Sequence, residues 1–264
     1  MLVESSDALC PLCEGRGWVL ASDGSAGTAT RCACRAARAS GERLGKAGIP
    51  PRYSGATLDN FNVDGGSAAD HQRLLEACNL SRRYVESFVE ISGEFRQTGL
   101  LFVGPPGVGK THLAAAVLRS LIERYAVRGK FVDFTSLVHQ IQSTFDPGSE
   151  ESKRQVLDPV IDAEVLVLDE LGAQRPTAFV NDMLYLVLNT RYTRCLPTLF
   201  TTNHPLDEPR PGPTPLDRSQ AMTVEPLTAR IPARLVSRLY EMARTIELPV
   251  SDFRREVKTV QTRI

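Results

Sequence analysis

The sequence has no excess of charge of either sign, no membrane-length apolar run and no signal-peptide core. Lysine and arginine together number 31, as do aspartate and glutamate, so the formal net charge is zero. This balance excludes a protein held on DNA by bulk positive charge, and any nucleic-acid contact must come from a local patch. No apolar stretch approaches the ~20 residues that cross a bilayer, and residues 1–8 are acidic rather than apolar. We therefore expect a cytoplasmic chain with no membrane partner and with reduced thiols.

Length and composition limit the number of domains. The 264 residues allow one domain, or one domain with a small appendage, at ~150 residues per domain. Apolar residues at mixed three- and four-residue spacing predict a helix over 68–92. The proline-rich segment 204–226 predicts an exposed loop. The isolated Cys78 and Cys195 are expected to be small buried hydrophobic residues.

The other four cysteines lie within 25 residues near the start of the chain. They form a C-x2-C pair, Cys10 and Cys13, and a C-x-C pair, Cys32 and Cys34. In a reducing compartment such a cluster favours metal ligation over disulfides. Two thiolate pairs can complete one tetrahedral zinc site, although the second pair is one residue tighter than the usual C-x-x-C. The sequence therefore predicts a zinc-binding head with these four ligands, the alternative being four thiols without a metal.

Two prolines mark the joint between this head and the rest of the chain. Residues 35–48 are rich in alanine and arginine and predict a helix. Pro50 and Pro51 cannot continue it, because proline lacks the backbone N–H and clashes with the preceding turn. We therefore divide the chain into a cysteine-rich head with its linker helix, residues 1–48, and a core domain, residues 49–264.

A glycine-rich loop lies between a predicted strand and a predicted helix. The apolar run 100–103 leads into G-P-P-G-V-G-K-T at 104–111, and a helical pattern covers 112–128. This is G-x-x-x-x-G-K-[ST] in the strand–loop–helix context that binds nucleotide phosphates. Backbone N–H groups and the helix N-terminus can converge there on phosphate oxygens. Lys110 is suited to reach the β- and γ-phosphates and Thr111 to ligate Mg²⁺.

Two further predicted strands end in polar residues. The apolar run 165–168 ends at Asp169 and Glu170. The run 198–202 ends at Asn203. The carboxyl ends of parallel strands share the edge at which ligands bind, so Asp169 is suited to hold Mg²⁺ through water and Glu170 to polarise an attacking water. Asn203 is suited to hydrogen-bond that water or the γ-phosphate, the alternative being a turn residue before His-Pro.

The order of these motifs resembles that of AAA+ ATPases, and more narrowly that of the DnaC/IstB group. This group comprises bacterial and phage helicase loaders and their transposition relatives. The resemblance covers about residues 49–256, and the cysteine head resembles the zinc-binding start of some loader-type proteins. The segments that carry the resemblance are Ile49–Tyr53, Thr57–Phe61, Gly104–Thr111, His112–Ala114, Leu168–Gly172, Asn189–Tyr192, Pro197–Thr198 and Thr202–Asn203.

The resemblance implies an α/β fold, an AAA+ P-loop NTPase core with a five-stranded parallel sheet of order 5-1-4-3-2. Few residues follow the proposed last strand, so the helical lid of AAA+ proteins is expected to be minimal or absent. The implied strands 1 to 5 lie near 100–103, 130–134, 164–169, 197–202 and 244–248.

The loop and the resemblance together assign functional residues. Arg238 matches the trans-acting arginine of the family and Arg254 a position often occupied by a cis sensor, with Arg191 and Arg234 as other candidates for the trans role. The assigned catalytic residues are Lys110, Asp169, Glu170, Asn203 and Arg238. The residues assigned to binding ATP or ADP are Gly104, Pro105, Pro106, Gly107, Val108, Gly109, Lys110, Thr111, His112, Asp169 and Arg254, with Thr111 and Asp169 also assigned to Mg²⁺.

The resemblance implies an ATP-hydrolysing, Mg²⁺-dependent helicase loader. Such a protein binds a hexameric DnaB-type replicative helicase and single-stranded DNA during replication initiation, and works as a homo-oligomer with ATP between subunits. The nearest alternative is an IstB-like regulator of DNA transposition, and a zinc-dependent adaptor with a vestigial ATPase is opposed by the complete phosphate-loop and acidic motifs. Phe145, Lys153 and Arg154 are suited to contact DNA, although acidic residues at 150–151 argue against it.

Overall fold

The structure is a computed structural model that describes residues 10–11, 13, 18–20, 29–31, 33–64, 67–89, 98–145, 152–206 and 225–248. The cysteine head contributes a short antiparallel pair, Trp18–Leu20 (β1) and Ala29–Arg31 (β2). Several predictions lie outside the described residues: Cys32, Arg254, most of the proline-rich segment 204–226, and the presence or absence of a lid after residue 248. Within the described part, no helix is long and apolar enough to span a membrane.

Five parallel strands form the centre of the core domain. They are Gly99–Val103 (β3), Gly129–Asp133 (β4), Val165–Asp169 (β5), Thr198–Thr202 (β6) and Ala243–Glu247 (β7). Their order is β4-β5-β6-β3-β7, and every neighbouring pair is parallel. Read from the β7 edge and numbered within the core, this is 5-1-4-3-2, so the predicted order is confirmed. Each predicted strand boundary lies within one residue of the observed one.

The helices of the chain are Ala33–Ala47 (α1), Ala68–Glu86 (α2), Lys110–Tyr125 (α3), Phe134–Ser143 (α4), Lys153–Ile161 (α5), Ala178–Thr193 (α6), Leu227–Arg230 (α7) and Ala233–Met242 (α8), with a 3₁₀ turn at Pro51–Tyr53. They cover both faces of the sheet, which explains why β3, β5 and β6 are buried along their whole length. Successive side chains of a strand point to opposite faces. Leu100 and Phe102 therefore join a cluster with α2 and α3, while Leu101 and Val103 join a cluster with α4, α6 and α8.

Helix α2 begins as predicted but ends six residues early. Ser67 and Asp70 form a reciprocal capping box at its start. The predicted helix to residue 92 stops at Glu86, and the next apolar residue, Phe88, is fully buried. Phe88 packs against Tyr84 and Tyr125, with ring centroids 5.7 and 5.8 Å away. The apolar pattern persists beyond the helix because the following segment still packs into the core.

Helix α1 packs against α3 and the edge strand β4. Ala47 is fully buried and Leu44 packs against the same cluster. Gly48 ends the helix at φ 73°, a conformation that glycine adopts without strain. The predicted linker helix therefore packs against the core domain. The boundary at residue 48 between the head and the core domain stays a prediction.

Candidate nucleotide-binding site

The glycine-rich loop joins β3 to α3 at the carboxyl edge of the sheet. Gly107 and Gly109 have φ of 90° and 93°, which side chains of L-residues rarely adopt. Gly109 also needs to be small, because a Cβ there would lie 2.6 Å from the Phe61 ring. Helix α3 begins at Lys110, two residues before the predicted start. The loop thus delivers a helix N-terminus to the sheet edge, an arrangement that favours anions.

At this edge of the sheet, one cleft is lined by three of the predicted catalytic residues and by Thr111. Lys110 and Thr111 line it from the first turn of α3, Glu170 from the end of β5, and Asn203 from the end of β6. Asp169 lies beneath them, and Thr111 donates to its carboxylate at 3.1 Å. Residues separated by up to 93 positions in the chain therefore meet around one volume, as the shared edge of parallel strands predicts.

Lys110 is almost fully buried within the loop. The residue is 6% exposed, and its Nζ donates to the carbonyl oxygen of Pro105 at 2.7 Å. The ammonium group is thus held against the loop backbone, where nucleotide phosphates would supply compensating negative charge.

The Asp169 side chain connects the end of β5 to helix α3 and to strand β6. The residue is 7% exposed and accepts hydrogen bonds from Thr111 at 3.1 Å and from Thr201 at 2.5 Å. Burial raises the pKa of its carboxyl group above the usual value, while these two hydrogen bonds act in the opposite direction. A carboxylate and a hydroxyl at this separation fit the oxygen ligands that Mg²⁺ prefers, directly or through water.

Glu170 is exposed to the cleft in an unusual backbone conformation. Its φ is 59°, in the left-handed region that is uncommon for residues other than glycine. Its N–H donates to Thr201 Oγ1 at 3.0 Å, which fixes this turn directly after β5. Thr201 therefore contacts both acids, donating to Asp169 and accepting from Glu170. Strained backbone of this kind often accompanies functional sites.

Sequence reasoning missed three residues of the cleft: Arg52, Tyr53 and Thr201. Arg52 and Tyr53 belong to Ile49–Tyr53, one of the segments that carry the family resemblance, and this was the signal that could have found them. The next segment of the resemblance, Thr57–Phe61, contacts the first turn of α3, because His112 Nε2 donates to the Thr57 carbonyl oxygen at 3.0 Å. His112 was assigned to nucleotide binding, and this bond holds its ring at the border of the cleft.

The candidate arginines occupy very different environments. Arg191 is fully buried, and its guanidinium donates to Thr198 Oγ1 and to the backbone carbonyls of Val160, Ile161, Ala163 and Pro197 at 2.8–3.2 Å. Burial lowers the pKa of Arg191 to about 9. An arginine so enclosed is not available to a second subunit, so it is removed from the candidates for a trans role.

Arg234 and Arg238 lie on α8 and pack against tyrosines of α6. The guanidinium carbon of Arg238 is 5.3 Å from the ring centroid of Tyr185 and 5.4 Å from that of Tyr192. That of Arg234 is 4.8 Å from the Tyr185 ring. Neither arginine is among the residues that line the cleft of its own chain.

Three of the four predicted zinc ligands lie together. The sulfur atoms of Cys10, Cys13 and Cys34 all lie within 4.8 Å of one another, with Cys13 and Cys34 at 3.3 Å. Zn–S bonds of ~2.3 Å in a tetrahedron place sulfurs ~3.8 Å apart, so this spacing fits the predicted metal. Cys34 lies in the first turn of α1 and so connects the cluster to a helix that packs on the core.

The two isolated cysteines differ from each other. Cys78 is buried, as predicted, and donates to the Leu58 carbonyl oxygen at 3.3 Å. Cys195 is exposed, so the prediction of burial is wrong. It lies in the turn between α6 and β6 at φ 53°, where the backbone and not the apolar pattern determines the side-chain direction.

Comparison with known proteins supports the resemblance seen in the motifs. Residues 34–210 match the family described as IstB-like ATP binding protein. The replicative helicase loader DnaC of Escherichia coli K12 is 27% identical over 62% of this chain and 61% of its own length. A protein of insertion sequence IS5376 from Geobacillus stearothermophilus is 30% identical over 58% of this chain and 54% of its own length. The chain thus spans little more than half the length of these curated relatives.

A solved structure extends the comparison to the fold. A crystal structure of the DnaC helicase loader superposes with a TM-score of 0.58 and 30% identity, covering 75% of this chain and 99% of that one. The sheet order and this match confirm the predicted AAA+ architecture of the core domain. The chain belongs to the family of IstB-like ATP-binding proteins, the group that includes the DnaC helicase loaders.

Proposed function

We propose that this protein is a Mg²⁺-dependent ATPase. The observation that carries the proposal is the convergence of Lys110, Thr111, Glu170 and Asn203 on one cleft, with Asp169 bonded to Thr111. Lys110 and the loop N–H groups would hold the phosphates, and Thr111 and Asp169 would hold the metal. Mg²⁺, when bound, would neutralise charge on the phosphates.

In this proposal Glu170 polarises the attacking water and Asn203 orients it. Glu170 is exposed to the cleft and its backbone N–H is held by the Thr201 hydroxyl, so the turn that carries the side chain is fixed while the carboxylate stays available to a water. Asn203 reaches the same volume from the neighbouring strand. The phosphoryl group would then be attacked in the space between the loop and these two strand ends.

We further infer that ATP hydrolysis serves to load a hexameric replicative helicase onto single-stranded DNA. The support is the family match and the 30% identity to a DnaC helicase loader structure over nearly its whole length. Phe145, which is 62% exposed, and Lys153 and Arg154 at the start of α5 are the proposed DNA contacts. Regulation of transposition is the second candidate, and the similarity to the IS5376 protein favours it.

A reconstitution separates the two candidates. The full chain, mixed with the hexameric replicative helicase of its source organism and ATP, is expected to co-elute with the helicase on a size-exclusion column. Single-stranded DNA is expected to raise the ATP hydrolysis rate of the mixture, because the proposed function couples hydrolysis to both partners. The control is the same experiment with the transposase of an insertion sequence in place of the helicase. Co-elution with the transposase and not with the helicase would replace loading with transposition as the function.

We also propose that Cys10, Cys13, Cys32 and Cys34 bind one zinc ion. Cys13→Ser is expected to lose it, so metal analysis should fall from about one zinc per chain to almost none. The short β1–β2 pair should then lose protection against hydrogen exchange, because so small a unit has little core of its own. ATP binding by the core should persist, because α1 stays packed on it through Leu44 and Ala47.

The matched control for the zinc experiment is Cys195→Ser. Cys195 is exposed and far in sequence from the cluster, so this variant should keep its zinc. Metal-free wild-type protein whose β1–β2 pair is as protected as in the metal-loaded protein would contradict a structural zinc site.

A further inference from the structure

Arg238 is held between two aromatic rings. Tyr185 and Tyr192 are seven residues apart on α6, so they share a face of that helix, and α6 packs on α8. The guanidinium carbon of Arg238 lies 5.3 Å from one ring centroid and 5.4 Å from the other. Both distances are within the range of cation–π attraction.

Glu241 fixes the second ring. The Tyr192 hydroxyl donates to Glu241 Oε2 at 2.6 Å. Glu241 follows Arg238 by three residues on α8, so both side chains lie on the same side of that helix. This hydrogen bond therefore fixes the Tyr192 ring against α8, the helix that carries Arg238.

The guanidinium group of Arg238 has an unsatisfied hydrogen-bond donor. Its Nη1 is buried without a hydrogen-bond partner, and no carboxylate pairs with Arg238 in the part of the chain that the structure describes. Arg191 is the contrasting case, since its guanidinium makes five hydrogen bonds inside the fold. Arg238 as a residue is only half-buried, and ring faces hold a guanidinium through its plane, so N–H groups at its edge other than the buried Nη1 can meet an anion.

We propose that Tyr185 and Tyr192, with Glu241 supporting Tyr192, are positioning residues that hold Arg238 ready for the γ-phosphate of ATP bound to a second copy of this chain. The inference rests on the proposed ATPase function and on a trans role for Arg238. A long arginine side chain loses rotamer freedom when it engages a ligand, and a side chain that is already ordered loses less.

The test replaces the rings and keeps the arginine. Tyr185→Leu combined with Tyr192→Leu is expected to lower kcat about 2- to 30-fold, the range that corresponds to the strength of cation–π contacts. ATP affinity should not change, because the cleft of the same chain is untouched. Tyr185→Phe combined with Tyr192→Phe keeps both ring faces and should recover most of the lost kcat.

A double-mutant comparison separates positioning from a general structural effect. In an Arg238→Ala background the two leucine substitutions should cause no further loss of kcat, because the group that they position is gone. An equal loss in both backgrounds, or wild-type kcat in the leucine variant, would overturn the inference. If Arg238→Ala itself hydrolyses ATP at the wild-type rate, the trans role fails first, and the result is distinguishable because it does not involve the tyrosines.

Discussion

Glu170→Gln is expected to bind ATP normally and to hydrolyse it ~10²–10⁴-fold more slowly than wild type, the usual contribution of a general base. The amide is nearly isosteric with the carboxylate but cannot polarise water as a base. Binding should persist because Glu170 contacts the fold through its backbone N–H, which donates to Thr201 in either variant. Steady-state phosphate release and equilibrium binding of a fluorescent ATP analogue measure the two quantities separately.

Two further variants serve as comparisons for Glu170→Gln. Lys110→Ala should lose nucleotide binding as well as turnover, because it removes the buried ammonium that would contact the phosphates. Glu76→Gln, at an exposed position of α2 that is not among the residues lining the cleft, changes the same charge and should behave as wild type. Wild-type hydrolysis by Glu170→Gln would mean that another group activates the water, and the proposal for Glu170 would be abandoned.

The sequence predicted the three central strands β3, β5 and β6 well because they are buried on both faces. Residues 100–103 and 165–168 are uninterrupted apolar runs, and such runs end where the backbone reaches the polar edge. The order of the strands in the sheet was predicted from the family resemblance, because an apolar run does not indicate which strands lie beside it. The end of α2 was less predictable, because Phe88 is as buried in a turn as it would be in a helix.

The candidate site was predictable where a motif names a residue and unpredictable where tertiary packing decides. Lys110 and Glu170 follow from their motifs. Thr201 does not, because a threonine inside an apolar strand gives no sign that its hydroxyl will contact both Asp169 and Glu170. Arg191 shows the reverse, since it lies in a family motif, but the structure places it inside the fold.

Arg238→Ala is expected to bind ATP nearly as well as wild type and to hydrolyse it ~10³–10⁵-fold more slowly, the contribution of an arginine that neutralises charge on the transferring phosphoryl group. Binding should be preserved because Arg238 does not line the cleft of its own chain. Because Arg238 lies outside this lining, the proposed contact is with the phosphate of ATP bound to a second subunit. Turnover of the wild-type protein should therefore rise with protein concentration until the subunits are fully assembled.

Mixing two inactive variants tests that dependence directly. Arg238→Ala retains an intact nucleotide site, and Lys110→Ala retains an intact arginine, so an interface between them contains one complete set of catalytic groups. The mixture should recover part of the wild-type rate. As a control, a Lys110→Ala, Arg238→Ala double variant mixed with Arg238→Ala should recover nothing, because no arginine remains at position 238. If the first mixture is no more active than either parent while wild type assembles and turns over, Arg238 does not act across subunits. Because Arg191 is enclosed in the fold, the trans role would then pass to Arg234, which is exposed on the same helix, or ATP would be hydrolysed within one chain.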